Sequence, residues 1–93
     1  MHKHNNYVEN LVSQIRDDYD HISTHLKISN SRRMVAEIDI LARKGKSIDI
    51  YEVKCSYRIT KAKKQLYKIR KILNKDRVSC YFYCGIGDRL IKV

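Results

Sequence analysis

The chain contains no proline and no tryptophan, a single phenylalanine, and only three glycines and three cysteines. With neither proline nor a Gly/Ser-rich tract there is no linker to divide it, so one domain spans residues 1–93. Three cysteines are an odd number without framework spacing, which speaks against a disulfide-stapled scaffold and for a reducing, intracellular, cytoplasmic setting. Cys80 and Cys84 on one strand would lie ~13 Å apart, too far for one tetrahedral metal, so they read as buried structural thiols. No apolar run approaches the ~18 residues of a membrane helix, and Met1-His2-Lys3-His4-Asn5-Asn6 lacks the apolar core of a secretory signal. No Gly-rich phosphate loop is present, so no small-molecule cofactor is expected.

Acid is scarce as well. Twenty Lys and Arg face ten Asp and Glu, a formal net charge of +10. The excess is concentrated: between Lys54 and Arg77 stand ten basic residues and one acid, Asp76, leaving the rest of the chain almost neutral. Such a segment is an electrostatic footprint for a polyanion, and DNA is the expected partner. Disorder is excluded by a 43% hydrophobic fraction and seven tyrosines.

Val8, Leu11, Val12, Ile15 and Tyr19 recur at helical spacing, which predicts an amphipathic helix from about Asn5 to Tyr19. His21 to Ser29 alternates, with Ile22, Thr24, Leu26 and Ile28 on one face of a half-buried strand. Met34–Arg43 and Ser47–Cys55 read as strands around Lys44-Gly45-Lys46. Thr60 is the expected N-cap of a second helix ending near Leu73, with Asn74 as its stop. Val78–Cys84 reads as a strand buried on both faces, and Leu90–Val93 as a short edge strand. The order α-β-β-β-α-β predicts an α/β domain, a small mixed sheet flanked by helices.

Two strands carry the site signal. Glu37 and Asp39 share one face of the first, and Glu52 and Lys54 share one face of the second, ~7 Å apart. If Gly45-Lys46 is a two-residue turn with glycine first, Asp39 falls opposite Glu52 at ~5 Å and Glu37 opposite Lys54. A three-residue loop would put Asp39 and Glu52 on opposite faces. Two close, buried carboxylates repel unless neutralised. Mg²⁺ (or Mn²⁺) does this, and with it the pair can hydrolyse a phosphodiester, Lys54 orienting the water or countering developing charge. Lys61, Lys64, Lys68 and Lys71, on the polar face of the second helix, would bind phosphates.

Asp39, thirteen residues before Glu52-Val53-Lys54, with one helix ahead and a basic one behind, resembles the PD-(D/E)XK nuclease superfamily over nearly the whole chain. The layout is most similar to archaeal-type Holliday junction resolvases, which carry an acid on the first helix about thirty residues before the motif aspartate; Glu9 stands there. Their serine-bearing basic loop is matched by Ser29-Asn30-Ser31-Arg32-Arg33. The resemblance implies a restriction-endonuclease-like core and a Mg²⁺-dependent endonuclease acting on branched DNA. Catalytic residues would be Asp39, Glu52, Lys54 and Glu9, with Asp39, Glu52 and Glu9 as metal ligands and Ser29, Ser31, Arg32 and Arg33 as further DNA contacts. The alternative is a catalytically silent DNA-binding module of the same fold. A homodimer is expected, through Tyr81, Tyr83 and Leu90-Ile91-Lys92-Val93. Three features depart from the pattern: Glu37-Ile38-Asp39 replaces Pro-Asp, Asp49 stands where an apolar residue is usual, and Tyr67 follows Gln65 too closely for the Gln-x-x-x-Tyr signature of exonuclease branches.

Overall fold

In the computed structural model, which describes residues 3–29, 34–73 and 77–93, the first helix α1 (Lys3–Ile15) passes through a 3₁₀ turn (Arg16–Asp18) into β1 (His21–Ser29). There follow β2 (Met34–Lys44), β3 (Ser47–Lys54), α2 (Ile59–Leu73), β4 (Val78–Cys84) and β5 (Arg89–Lys92). The strands form one mixed sheet in the order β1-β2-β3-β4-β5. Neighbours are antiparallel except β3 and β4, which run parallel because α2 carries the chain back between them. No helix among the described residues is long and apolar enough to cross a membrane.

The helices cover opposite faces. Val8, Leu11 and Ile15 of α1 pack on Ile40, Ala42, Tyr51, Val53 and Tyr83. On the other face, Leu66 and Ile69 of α2 meet Ile38, Ile50, Val78 and Cys80, while Ala62 meets Phe82 and Cys84. The α/β class and the mixed sheet are as expected, and the buried thiols of Cys80 and Cys84 are free.

Several boundaries differ from expectation. The helix expected to reach Tyr19 stops at Ile15, where Asp17 and Asp18 would set negative charge against the negative end of the helix dipole. At the start of α2 the Arg58 carbonyl accepts from Ala62 N–H at 3.1 Å, so Arg58 rather than Thr60 holds the cap position. Asn74 lies outside the described residues.

The β1 alternation also breaks. Ile22 packs on the α1 side and Ile28 on the α2 side, and Leu26 stays 39% exposed. In β2, likewise, Ala36 and Ile38 face α2 whereas Ile40 and Ala42 face α1. The switch falls at His25 and Asp39, the one position skipped between the pairs Thr24–Ile40 and Leu26–Ile38. His25 has φ +51°, a left-handed backbone that costs a non-glycine residue ~1 kcal/mol and re-aims its neighbours.

Tyr83 is 2% exposed beneath α1, its hydroxyl donating to Asp88 at 2.6 Å, and Tyr81 stacks on Tyr51. Tyr83 is therefore taken up within the chain, while Tyr81 is half-buried. Leu90 and Val93 remain open, at 48% and 38% exposure.

Gly85 marks a close approach: a Cβ there would run into the base of the Tyr7 ring on α1. Gly85→Ala should cost about 1–3 kcal/mol, seen as a fall in Tm of at least ~4 °C. Combined with Tyr7→Ala, the loss should be smaller than the sum of the single losses. Full additivity in thermal melts would show that the two residues do not press on each other.

Candidate metal centre

The site begins at the hairpin. Gly45 takes φ +58°, as the first residue of a two-residue type II′ turn must, and Lys44 pairs with Ser47. That register continues to Ile40 opposite Tyr51, where the β2–β3 ladder ends. The next pair in register would be Asp39 and Glu52. Here, because the strand has switched faces, the Asp39 side chain takes over from its backbone: Oδ2 accepts Val53 N–H at 2.9 Å in a buried bond. Val53 N–H would otherwise be an orphaned donor inside the sheet.

His4 closes the arrangement from α1. Its Nε2 lies 2.9 Å from the Val53 carbonyl oxygen and 3.3 Å from Asp39 Oδ2. Since a carbonyl only accepts, Nε2 carries the proton and donates to both oxygens. Asp39 is thus fixed by one backbone and one imidazole donor at 6% exposure.

Glu52 is 3% exposed, with Oε2 3.1 Å from Lys54 Nζ. Burial, and next the Asp39 charge, push its carboxyl up from the ordinary 4.5 to about 7, while Lys54 and His4 draw it down. The pull of Lys54 does not offset desolvation plus a second carboxylate. A divalent cation would make up that shortfall of positive charge, and two carboxylates with the Val53 carbonyl are hard oxygen donors of the kind Mg²⁺ takes.

The other expected residues distribute differently. Glu9 is exposed; five residues beyond His4, it points ~140° around the helix from it. Its carboxylate is therefore turned away from the pair, and among the described residues no group of three or more His, Cys, Asp or Glu side chains gathers to hold a metal. Glu37 pairs with Lys27 of β1 rather than facing Lys54, because β2 has already left β3. Ser29 is exposed at the end of β1, beside an irregularity in register, and Ser31, Arg32 and Arg33 lie outside the described residues. Lys61, Lys64, Lys68 and Lys71 are exposed along α2.

His4 is a site residue that the motif pattern does not contain. Its signal was present: four residues before Val8 and seven before Leu11, it continues the buried stripe of α1. Gln65 is a second such residue. It lines a cavity with Val35, Ala36 and Glu37, and its buried Oε1 has no hydrogen-bond partner among the described residues.

A scan against protein-family models finds no match to the chain, and a search of curated proteins finds none either.

A carboxyl held at about 7 in the folded chain, against 4.5 ordinarily, binds its proton more tightly when folded. It contributes stability that is fully present below pH ~4.5 and is lost as the pH rises through ~7. In chelator, Glu52→Gln should therefore gain on the wild type between pH 5 and pH 8 by at least ~4 °C in Tm. A difference that stays flat with pH would show that Glu52 is not under charge strain.

Proposed function

We propose that this chain is a metal-dependent DNA endonuclease of the PD-(D/E)XK type, with a restriction-endonuclease-like core, acting on branched DNA in the manner of a junction resolvase. The observation that carries the reading is the buried Asp39–Glu52 pair: two carboxylates, with Glu52 pushed up to about 7, at the point where two central strands part. Buried like charges are costly and add nothing to a core that apolar residues would not supply better. The basic α2, with no acid between Ile59 and Leu73, adds a surface for the phosphate backbone. Three free cysteines suit a reducing, intracellular setting.

In this reading Asp39 and Glu52 hold Mg²⁺ or Mn²⁺, and His4 keeps the Asp39 carboxylate in place. Bound there, the cation supplies Lewis acidity and neutralises charge on the phosphodiester. Lys54, 3.1 Å from Glu52, orients the attacking water and opposes the developing negative charge. Glu9 has no part in this version of the site. One observation favours the second reading, a catalytically silent DNA-binding module: the His4 N–H already satisfies the Asp39 and Val53 oxygens.

A cleavage assay separates the two. With labelled four-way junctions and linear duplex, Mg²⁺ or Mn²⁺ should support cutting, chelator should abolish it, and junctions should be preferred. Asp39→Asn should reduce cleavage on the order of 100-fold or more while leaving DNA binding intact or tighter, since it removes a negative charge near phosphate. Binding without any cutting by the wild type would favour the silent module, and undiminished cutting by Asp39→Asn would remove the site assignment.

Symmetric nicking of a four-way junction needs two sites, and each chain offers one. We propose a two-fold homodimer through the outer edge of β5, where Leu90 is 48% exposed, with Ile86 of the preceding turn at 76%, and where half of the strand's backbone groups face no neighbouring strand among the described residues. Light scattering should give about twice the 11.1 kDa chain mass; a strict monomer would leave the nuclease reading without its resolvase form.

A further inference from the structure

The tyrosines divide into two groups. Tyr19, Tyr51, Tyr81 and Tyr83 are tied up in hydrogen bonds and ring contacts within the chain, and Tyr7 of α1 packs against the core beneath that helix. Tyr57 and Tyr67 stand open, at 50% and 66% exposure. Both lie on the most basic part of the molecule. Along α2, Lys61, Lys64, Tyr67 and Lys71 follow one another at steps of three or four, the spacing that aligns side chains along one ridge of a helix, and Tyr57 stands just before its first turn.

Surface shape follows the same line. Tyr57, Lys61 and Lys64 line one depression of about 380 Å³. Lys64 and Tyr67 line the next, about 360 Å³, with Leu66 and Cys80 among its walls. Lys64 belongs to both, so the two hollows are consecutive. Each ring is held in orientation by a cation, Arg89 5.3 Å from the Tyr57 centroid and Lys71 5.2 Å from that of Tyr67. Tyr57 is also steadied by an edge contact to Phe82.

Among the described residues the charges on this ridge are unpaired. No described ion pair involves α2, and its lysines at spacings of three and four repel one another. That repulsion is relieved by an external polyanion. Phosphates alone would call for cations alone, and a paired duplex hides its base faces from a side chain on its surface. An unpaired strand presents phosphates and bare base faces in turn, which is what a row of alternating cations and open rings accommodates.

We propose that the ridge Tyr57–Lys61–Lys64–Tyr67–Lys71 binds a single-stranded stretch of DNA, with Tyr57 and Tyr67 stacking unpaired bases. Resting on the nuclease reading, this gives the site a substrate class: DNA with unpaired nucleotides, such as a flap, an overhang or an opened branch point. Tyr57 follows the end of β3, three residues beyond Lys54, and its ring meets Phe82, the β4 residue paired with Glu52.

The test is fluorescence anisotropy of the full chain in chelator, where nothing is cut, with labelled single-stranded DNA, the matching duplex, and single-stranded RNA of the same sequence. The wild type should bind the single-stranded DNA most tightly. Tyr57→Ala and Tyr67→Ala should each weaken that binding by about 10-fold, from the usual worth of one stacked base, and leave duplex binding and the salt dependence unchanged. Tyr57→Trp and Tyr67→Trp should retain it. Lys64→Ala should weaken single strand and duplex together and flatten the salt slope by about 0.7–0.9. Duplex binding as tight as single-strand binding, equal losses on both DNAs in the alanine variants, or tighter binding of RNA would each overturn the proposal. All three leave the nuclease reading in place, whereas a wild type that binds no nucleic acid removes both.

Discussion

The bond from Val53 N–H to the Asp39 carboxylate is the contact on which the site depends. It sits where a backbone carbonyl of β2 would have continued the ladder, and it exists because β2 changes face at this residue. A sheet that stayed regular would have paired Asp39 through its main chain and sent the carboxylate to solvent or into the core. Instead the side chain enters the sheet as a hydrogen-bond acceptor, at a depth no surface aspartate reaches. The desolvation of Glu52, its repulsion by Asp39 and the reach of Lys54 toward it all follow from that position.

Such a site is costly to keep. His25 in a left-handed backbone, two buried carboxylates and a buried Gln65 oxygen without a partner among the described residues all lie on or beside the same stretch of β2. The clustering has one physical origin. Where β1 and β2 coil and β2 parts from β3, hydrogen bonds are given up, and polar side chains fill the positions that the backbone vacates. The opposite end of the sheet carries no comparable strain: β1, β2 and β3 run in unbroken register from the Gly45 turn.

Much of this was legible in the residues, and the parts that were not share a cause. The glycine-first turn sets the register as far as Ile40 and Tyr51, because a period of two leaves no freedom once the turn length is set; beyond it the Asp39 side chain reaches β3 through Val53 N–H. Class, sheet and helix faces followed from apolar spacing. Strict alternation failed at His25 and Asp39, since nothing in Ile22, Thr24, Leu26 and Ile28 signals a left-handed residue between them. Glu9 was assigned by its distance along the chain, which says nothing about which side of a helix a residue faces. Counting round the helix from Val8 and Leu11 would have pointed to His4 instead. Spacing along a sequence locates an element; only the angle about its axis selects the residue that reaches the site.

Asp49, which no pattern accounted for, explains how α1 is held so that His4 can reach. The Tyr19 hydroxyl, just beyond the 3₁₀ turn, donates to Asp49 Oδ2 at 2.5 Å and meets the Tyr51 hydroxyl. Asp20 follows, its Oδ2 accepting Gly45 N–H at 2.8 Å and its own N–H donating to the Arg43 carbonyl. These bonds tie the exit of α1 to β3 and to the turn between β2 and β3, the two ends of the segment that sets the register. At its other end the helix is tied by His4 to Val53 and Asp39, ~16 Å from Ile15 at helical rise. A helix pinned at both ends to the same pair of strands can neither slide nor roll, and its apolar stripe then has one seating. An apolar residue at position 49 would pack against that helix equally well in several axial positions. The carboxylate selects one of them, and in that one the imidazole of His4 lies against Asp39.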